Sequence, residues 1–457
     1  MNHKDNTMLN KALAKNVEHF AKEYKELKNS LESGKFEEKF HLLKEEFLAR
    51  EAHIKKRYST KKSFKWEDIV ARVKAYFQIS QNRRNFDFAN FAKNAPKKMI
   101  NGKEHTVVAQ IENLHLSFLN PANPNIQSNV IRDTSIEFYE GKIHAIIGES
   151  GSGKSVITST LYGLPGDNAV IQSGSIKLFG NEVQHFTFRD WELSNYRGKV
   201  VSAVFQNPMS TLNPTKKIGP QIMEGMLLNK IVKDKKEAYE KAIHYLQMTK
   251  ITEPEKVMKL YPHELSGGMI QRVVISAILS LEPKIIVMDE PTTALDTTVQ
   301  ALVLDIIRDL QARLKMTIIF ITHDLGVVAS LADYITIMYA GQVIEEGTRE
   351  EILQFPQHPY TWGLISSMPD VNKGERLQSI RGVVPSSLNN IVGDAFAVRN
   401  DYALEQDFYE EPPFYQISQT HRVKSVLCDP RAPKVNPPAI IAQKWAKWKA
   451  AKGENNV

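Results

Sequence analysis

The chain has 457 residues, of which 42% are apolar and 24% charged, with a mean hydropathy of −0.34. That balance excludes wholesale disorder, and the length predicts two or three domains. The formal net charge of +7 is unevenly spread: residues 1–105 hold 24 Lys and Arg against 14 Asp and Glu, leaving 35 against 38 elsewhere.

The first ten residues carry Lys4 and Asp5 with no apolar core behind them, so no secretory signal is expected. From there Leu13, Val17, Phe20, Tyr24, Leu27 and Leu31 fall at spacings of three and four, one stripe of a helix. Ser33-Gly34 breaks it, and Phe36, Phe40, Leu43 and Phe47 restart it, which predicts a helical hairpin. Ser63 is placed to cap a third helix carrying Trp66, Ile69, Val73 and Phe77. The polar stretch from Phe77 to about Lys103 reads as a linker, so residues 1–103 form a basic helical extension. Its stripes need cover: the hairpin packing on itself, another protein's loop, or an anionic surface such as lipid headgroups.

From about residue 104 the texture changes to short β-branched runs alternating with helical stretches. Strands are expected at Thr106–Phe118, Val130–Ile147, Ser175–Phe179, Val200–Phe205, Lys284–Asp289, Thr317–Thr322 and Tyr334–Val343. Such alternation predicts an α/β domain with a largely parallel sheet, placed at residues 104–355. The stretch Thr317 to Gly341 is the most apolar in the chain, but His323, Asp324 and Asp333 interrupt it, so no transmembrane helix is expected. Beyond Phe355, 10 of the 21 prolines crowd into the remaining residues, and 356–457 read as a loop-rich extension with a helix near Ala439–Lys452. A single cysteine, Cys428, excludes an internal disulfide and fits a reducing compartment, so a cytosolic location is expected.

The strongest motif is Gly148-Glu149-Ser150-Gly151-Ser152-Gly153-Lys154-Ser155, between a buried-strand run at His144–Ile147 and a helix beginning at Val156. It satisfies the phosphate-loop pattern, in which glycines let successive backbone N–H groups converge on phosphate oxygens at a helix N-terminus. Lys154 would face the β- and γ-phosphates, and the Ser155 hydroxyl can ligate Mg²⁺. A second element, Lys284 to Glu290, is an apolar strand delivering Asp289 and Glu290 at its carboxyl end, where open α/β sheets bind ligands. Asp289 would hold Mg²⁺ and Glu290 would polarise the attacking water. Alone, two acids ending a strand would most often be solvated surface groups; the phosphate loop changes that balance.

Between these lies Leu265-Ser266-Gly267-Gly268-Met269, followed by Gln271-Arg272. This resembles the signature of ATP-binding cassette (ABC) ATPases, and its companions stand in that family's order: Gln206 after a strand, the acidic strand, Ala294-Leu295-Asp296, and His323 after another strand. Further segments narrow the resemblance to the ATPase subunits of oligopeptide and dipeptide importers: Arg197-Gly198-Lys199, Phe205 to Met209, Leu212-Asn213-Pro214, Tyr261 to Glu264, Met338 to Gly341 and His358-Pro359-Tyr360-Thr361. The resemblance covers residues 108–430 and leaves the basic segment without a counterpart.

The resemblance implies a P-loop ABC fold with a parallel core, an antiparallel β-subdomain and a helical subdomain at about 207–264. It implies ATP bound at Gly148 to Val156, with Mg²⁺ at Ser155, Gln206 and Asp289. Glu290 is implied as general base, with His323 at the γ-phosphate and Gln206 linking the subdomains. Ser266, Gly267 and Gly268, with Asp296 nearby, would serve an ATP held by a second cassette, either a paralogue or an identical chain. Two permease subunits and an extracellular peptide-binding protein complete the implied assembly, at the cytoplasmic face of the membrane. The base-stacking aromatic is not evident: register gives Asn120, with Phe118 as a substitute. Importer ATPases often carry four tail cysteines that resemble an iron–sulfur site. The matching positions here are Asp394, Asn400, Asp407 and Ser425, so no cluster is expected.

Two competing readings remain. A cytosolic ABC ATPase acting on nucleic acid or ribosomes would use the basic segment. Its usual forms carry two cassettes or a long coiled coil before the signature, and neither is present, so no nucleic-acid partner is expected. A nucleotide-binding scaffold without turnover would not need Glu290 and His323.

Overall fold

The computed structural model describes residues 15–16, 18–23, 39–48, 50, 86–120, 123–293, 295–368, 380–385 and 391–452. They form two compact units, one within residues 1–86 together with Glu192–Asn195, the other Asp87–Trp191 with Tyr196–Val457.

In the first unit, residues 18–23 and 39–48 are helical. The two apolar stripes face each other: Phe20, Ala21 and Phe47 are buried, with Phe40 and Leu43 packed beside them. The rings of Phe20 and Phe47 meet edge to face at 4.9 Å, and Arg50 bonds Glu23 at 2.8 Å. These described parts of the two stripes pack on each other; Leu13, Val17, Tyr24, Leu27, Leu31 and Phe36 lie outside the described residues. The expected third helix, with Trp66, Ile69, Val73 and Phe77, lies outside the described residues.

The second unit begins at Asp87 rather than 104, because residues 87–103 of the expected linker are folded. Asp87 caps helix α1 (Phe88–Ala92) by accepting from the Ala89 and Asn90 amides. Strand β1 (Lys97–Ile100) then pairs antiparallel with β2 (Lys103–Asn120). Few apolar residues announce this segment, but they are well used. Phe91 packs on Phe179 and Tyr196, and Lys284 Nζ lies 4.9 Å from the centre of the Phe88 ring.

Two sheets build the unit. The smaller combines β1, β2, β3 (Asn123–Tyr139), β5 (Ala169–Leu178) and β6 (Asn181–Glu182), all antiparallel. The larger has the order β12 (Phe414–Gln416), β13 (Arg422–Lys424), β11 (Gln342–Thr348), β10, β4, β9, β8 and β7. Its parallel core runs through β10 (Tyr334–Tyr339), β4 (Ile143–Ile147), β9 (Thr317–Thr322), β8 (Ile285–Asp289) and β7 (Val201–Val204). Strands β4 and β9 are buried at every residue, as a sheet covered on both faces requires.

Two expected single strands prove to be pairs. Val130–Ile147 turns at Glu140-Gly141, separating β3 from β4, and Tyr334–Val343 turns at Ala340-Gly341 into β11 (Gln342–Thr348). Gly141 and Gly341 both take positive φ, and the polar Lys142 and Gln342 after them mark breaks that were available in the sequence.

The described residues between 356 and 452 are not a separate appendage. Strand β12 (Phe414–Gln416) pairs with β13 (Arg422–Lys424), which pairs with β11 and so extends the main sheet. Helix Pro359–Ser366 and the terminal helix Ala439–Lys452 share one core with β4 and β10, through Tyr360, Trp362, Ile365 and Ile441. Helices Ile218–Leu228 and Lys235–Met248 lie within the expected helical subdomain and pack on helix Gly267–Leu279, burying Ile222, Met226, Leu246 and Ile270 together.

Candidate active site

The site gathers at the carboxyl ends of β4, β7, β8 and β9. After β4 the chain curls through Gly148 to Gly153 and enters the helix Lys154–Thr160. Gly153 has φ 91°, a left-handed conformation that L side chains rarely adopt, so the turn requires glycine there. Lys154 is buried, and its ammonium donates to the Gly148 carbonyl at 2.9 Å and the Glu149 carbonyl at 2.8 Å. Burial lowers its pKa, against which Glu290, Asp289 and Glu149 favour the charge.

Ser155 Oγ donates to Asp289 Oδ1 at 3.0 Å, joining the loop to the end of β8 across 134 residues of sequence. Burial raises the Asp289 pKa, partly offset by that hydrogen bond. Two adjacent hard oxygen donors with a nearby amide suit Mg²⁺, which is held by few protein ligands beside phosphates and water.

Glu290 stands just past β8 with φ 45°, anchored by its amide to the Ile321 carbonyl at 3.0 Å. Its Oε2 accepts from Gln206 Nε2 at 3.1 Å and Thr293 Oγ1 at 3.0 Å, while Oε1 lies 3.3 Å from His323 Nδ1. Burial opposes its charge, but the bonds from His323 and Thr293, with the charges of His323 and Lys154, outweigh it and lower the pKa. One carboxylate thus brings together three positions singled out from sequence (Gln206, Glu290 and His323), each at the end of a different parallel strand.

Ser266, Gly267 and Gly268 sit elsewhere, at the N-terminus of helix Gly267–Leu279. Ser266 is the N-cap, its Oγ accepting from Met269 at 3.4 Å, and both Ser266 and Gly267 are exposed. Asp296 caps the neighbouring helix Thr297–Leu314 by accepting from Val299 at 2.9 Å. A Cβ on Gly268 would meet Val299 at 2.5 Å, so the two helix starts are in close contact only because this residue is glycine.

A family model described as "ABC transporter" matches residues 131–293, and one described as "Oligopeptide/dipeptide transporter, C-terminal region" matches 344–406. Two curated relatives are similar over most of their length. The dipeptide transport ATP-binding protein DppD of Lactococcus lactis subsp. cremoris (strain MG1363) is 45% identical over 348 residues, covering 76% of this chain and 98% of its own. The oligopeptide transport ATP-binding protein OppD of Bacillus subtilis (strain 168) is 44% identical, covering 75% and 95%. The chain belongs to the ABC transporter family, among its oligopeptide and dipeptide ATP-binding proteins.

In this cassette Asn120 ends β2 opposite Asn123, and the Phe118 ring lies beside Gly166 in the loop after helix Lys154–Thr160. The four tail positions are engaged locally: Asp394 Oδ1 accepts from the Phe396 amide, Asn400 Oδ1 from Tyr402, and Asp407 Oδ2 from Leu404, while Ser425 is buried. Burial beside Asp407 pushes the Asp394 carboxyl up to about 6.

Residues not anticipated from sequence also reach the site. Thr293 lies three residues beyond Glu290, a spacing that was available as a clue. Tyr360 and Arg399 reach Glu149 from more than 200 residues away, and nothing in their local sequence announces it. Among the described residues no helix is long and apolar enough to cross a membrane.

Proposed function

We propose that this chain is the ATP-hydrolysing subunit powering peptide uptake through a membrane complex, with Glu290 as general base. The observation that carries the reading is the Glu290 carboxylate, kept ionised by its partners and held by Gln206, Thr293 and His323 beside the Ser155–Asp289 pair. The loop Gly148 to Val156, through backbone amides other than that of Glu149, and the Lys154 ammonium bind the triphosphate, placing its γ-phosphate toward Glu290. Ser155, Asp289 and Gln206 would hold Mg²⁺, which would offset the negative charge gathering on the phosphate oxygens. Glu290 takes the proton of the attacking water, and His323 contacts the γ-phosphate.

The exposed Ser266 and Gly267 then serve the ATP of a second cassette, a paralogue in this proposal, with Asp296 at the same junction. Two permease subunits receive the movement, an extracellular peptide-binding protein supplies the cargo, and the chain works at the cytoplasmic face of the membrane. The tail holds no iron–sulfur cluster, since Asp394, Asn400, Asp407 and Ser425 offer no thiolate.

Affinity purification of the tagged chain from detergent-solubilised membranes tests the assembly. Recovery of two multi-span proteins and a second cassette is expected, and recovery with ribosomes or nucleic acid instead overturns it. Protein prepared without oxygen should contain no stoichiometric iron; an iron-loaded preparation refutes that part.

A further inference from the structure

Glu149 places a carboxylate inside the phosphate loop, where its charge opposes a triphosphate. Its Oε1 accepts from Arg399 Nη1 at 2.9 Å, and the Arg399 side chain is only 6% exposed. That guanidinium is itself fixed: Nε donates to the Arg381 carbonyl at 2.7 Å, and Nη1 also reaches the Tyr339 hydroxyl at 3.1 Å. The same loop residue is held from a second direction. The Glu149 amide donates to the hydroxyl of Tyr360, a fully buried residue, at 3.0 Å.

The peptide between Gly148 and Glu149 is therefore pinned at both ends. Tyr360 takes its N–H, and Lys154 takes its carbonyl at 2.9 Å. Rotating that peptide would break both bonds and move the point from which Lys154 reaches. Tyr339 links the two clamps, because its ring packs 4.9 Å from Tyr360 and it ends the strand beside β4, which delivers the loop.

We propose that Arg399, in the C-terminal segment, is a positioning residue for ATP: it neutralises Glu149 and holds its carboxylate away from the phosphates. The inference rests on the reading of Gly148 to Val156 as the ATP loop. A charge-assisted bidentate-capable guanidinium on a partly buried carboxylate is the kind of contact whose loss is felt strongly. Without Arg399 the uncompensated carboxylate repels the triphosphate, so affinity suffers. Glu290, Gln206 and His323 sit on other strands and keep their geometry, so turnover at saturation does not.

The test uses the full-length chain, with circular dichroism to verify folding, calorimetric Kd for MgATP, and KM and kcat for hydrolysis. Arg399→Met should raise Kd and KM about tenfold while kcat stays within about twofold. In a Glu149→Gln background the same substitution should change Kd by less than about twofold, because the charge it neutralises is gone. Arg399→Gln, whose amide nitrogen stands where Nε does and can still donate to the Arg381 carbonyl, provides the same comparison if Arg399→Met does not fold. An unchanged Kd in a folded variant, or an equal loss in both backgrounds, overturns the proposal. Lys154→Ala separates the two levels. If it too leaves Kd unchanged, the loop assignment itself fails; if it alone weakens binding, only the role of Arg399 fails.

Discussion

Gln206 Nε2 donates to Glu290 Oε2 at 3.1 Å, so the ends of β7 and β8 share one hydrogen bond at the carboxylate best placed to act on water. With Thr293 and His323 also on that carboxylate, its lowered pKa leaves it ionised at neutral pH and able to accept a proton. The bond also ties the base to the start of the helical subdomain, since Gln206 immediately precedes it.

Glu290→Gln keeps the shape and the hydrogen-bonding reach but removes the base. Hydrolysis by the full chain should fall by roughly 10²–10⁴-fold while the calorimetric Kd for MgATP changes little. A variant that retains more than half the parental rate refutes Glu290 as base.

Lys154→Ala deletes a buried ammonium that bonds two loop carbonyls. ATP affinity should drop by about tenfold or more, with an intact circular dichroism spectrum. Calorimetry with Mg²⁺ present gives the answer, and unchanged affinity removes residues 148–156 from the ATP site.

Asp394 gives a prediction about pH. Its folded pKa of about 6 lies above the unfolded value of 3.8, so the native state resists ionising it. The resulting cost is absent below the unfolded value, builds as pH rises from about 4 to 6, and is complete above that. Asp394→Asn should therefore stabilise the protein at pH 7.5, by roughly 2–3 kcal/mol at most, and leave it unchanged near pH 4. The amide oxygen can still accept from Phe396, so the loop geometry survives. Urea titrations at the two pH values decide it; equal stabilities at pH 7.5 contradict the buried charge.

Truncation tests the boundary. Removing residues 1–86 should leave the Kd for MgATP within about twofold, because none of the site residues lies there. Removing 1–103 also strips Phe88, Phe91 and the buried Ile100 from the ATP-binding unit, at about 1–3 kcal/mol for each large side chain lost. The longer deletion should melt earlier than the shorter one, and equal melting midpoints would restore residues 87–103 to the status of a linker.

The site was legible where chemistry is local. Gly148 to Ser155, Asp289-Glu290 and Ser266 to Gly268 each stand out in a short run, because a loop able to cradle phosphate or a strand that ends in acids needs neighbours in sequence. Strand positions were legible for the same reason, as with Thr317–Thr322, where every residue is buried. Two turns were missed although Glu140-Gly141-Lys142 and Ala340-Gly341-Gln342 each carry a glycine at positive φ, because the β-branched strands on either side read as one run. Segment 87–103 was misread because Phe88, Phe91 and Ile100, placed by long-range packing, leave no sustained period to detect.

By itself the sequence determined the motifs, their order, and so the family and the chemistry they can perform. Only the tertiary structure decided that Gln206, Thr293 and His323 converge on one carboxylate, that β12 and β13 complete the main sheet, and that Arg399 closes on Glu149. The physical reason is one of range. Periodicity and turn chemistry act over a few residues, whereas a hydrogen bond between residues 250 apart exists only once the sheet has set the order of its strands and the core has packed around them.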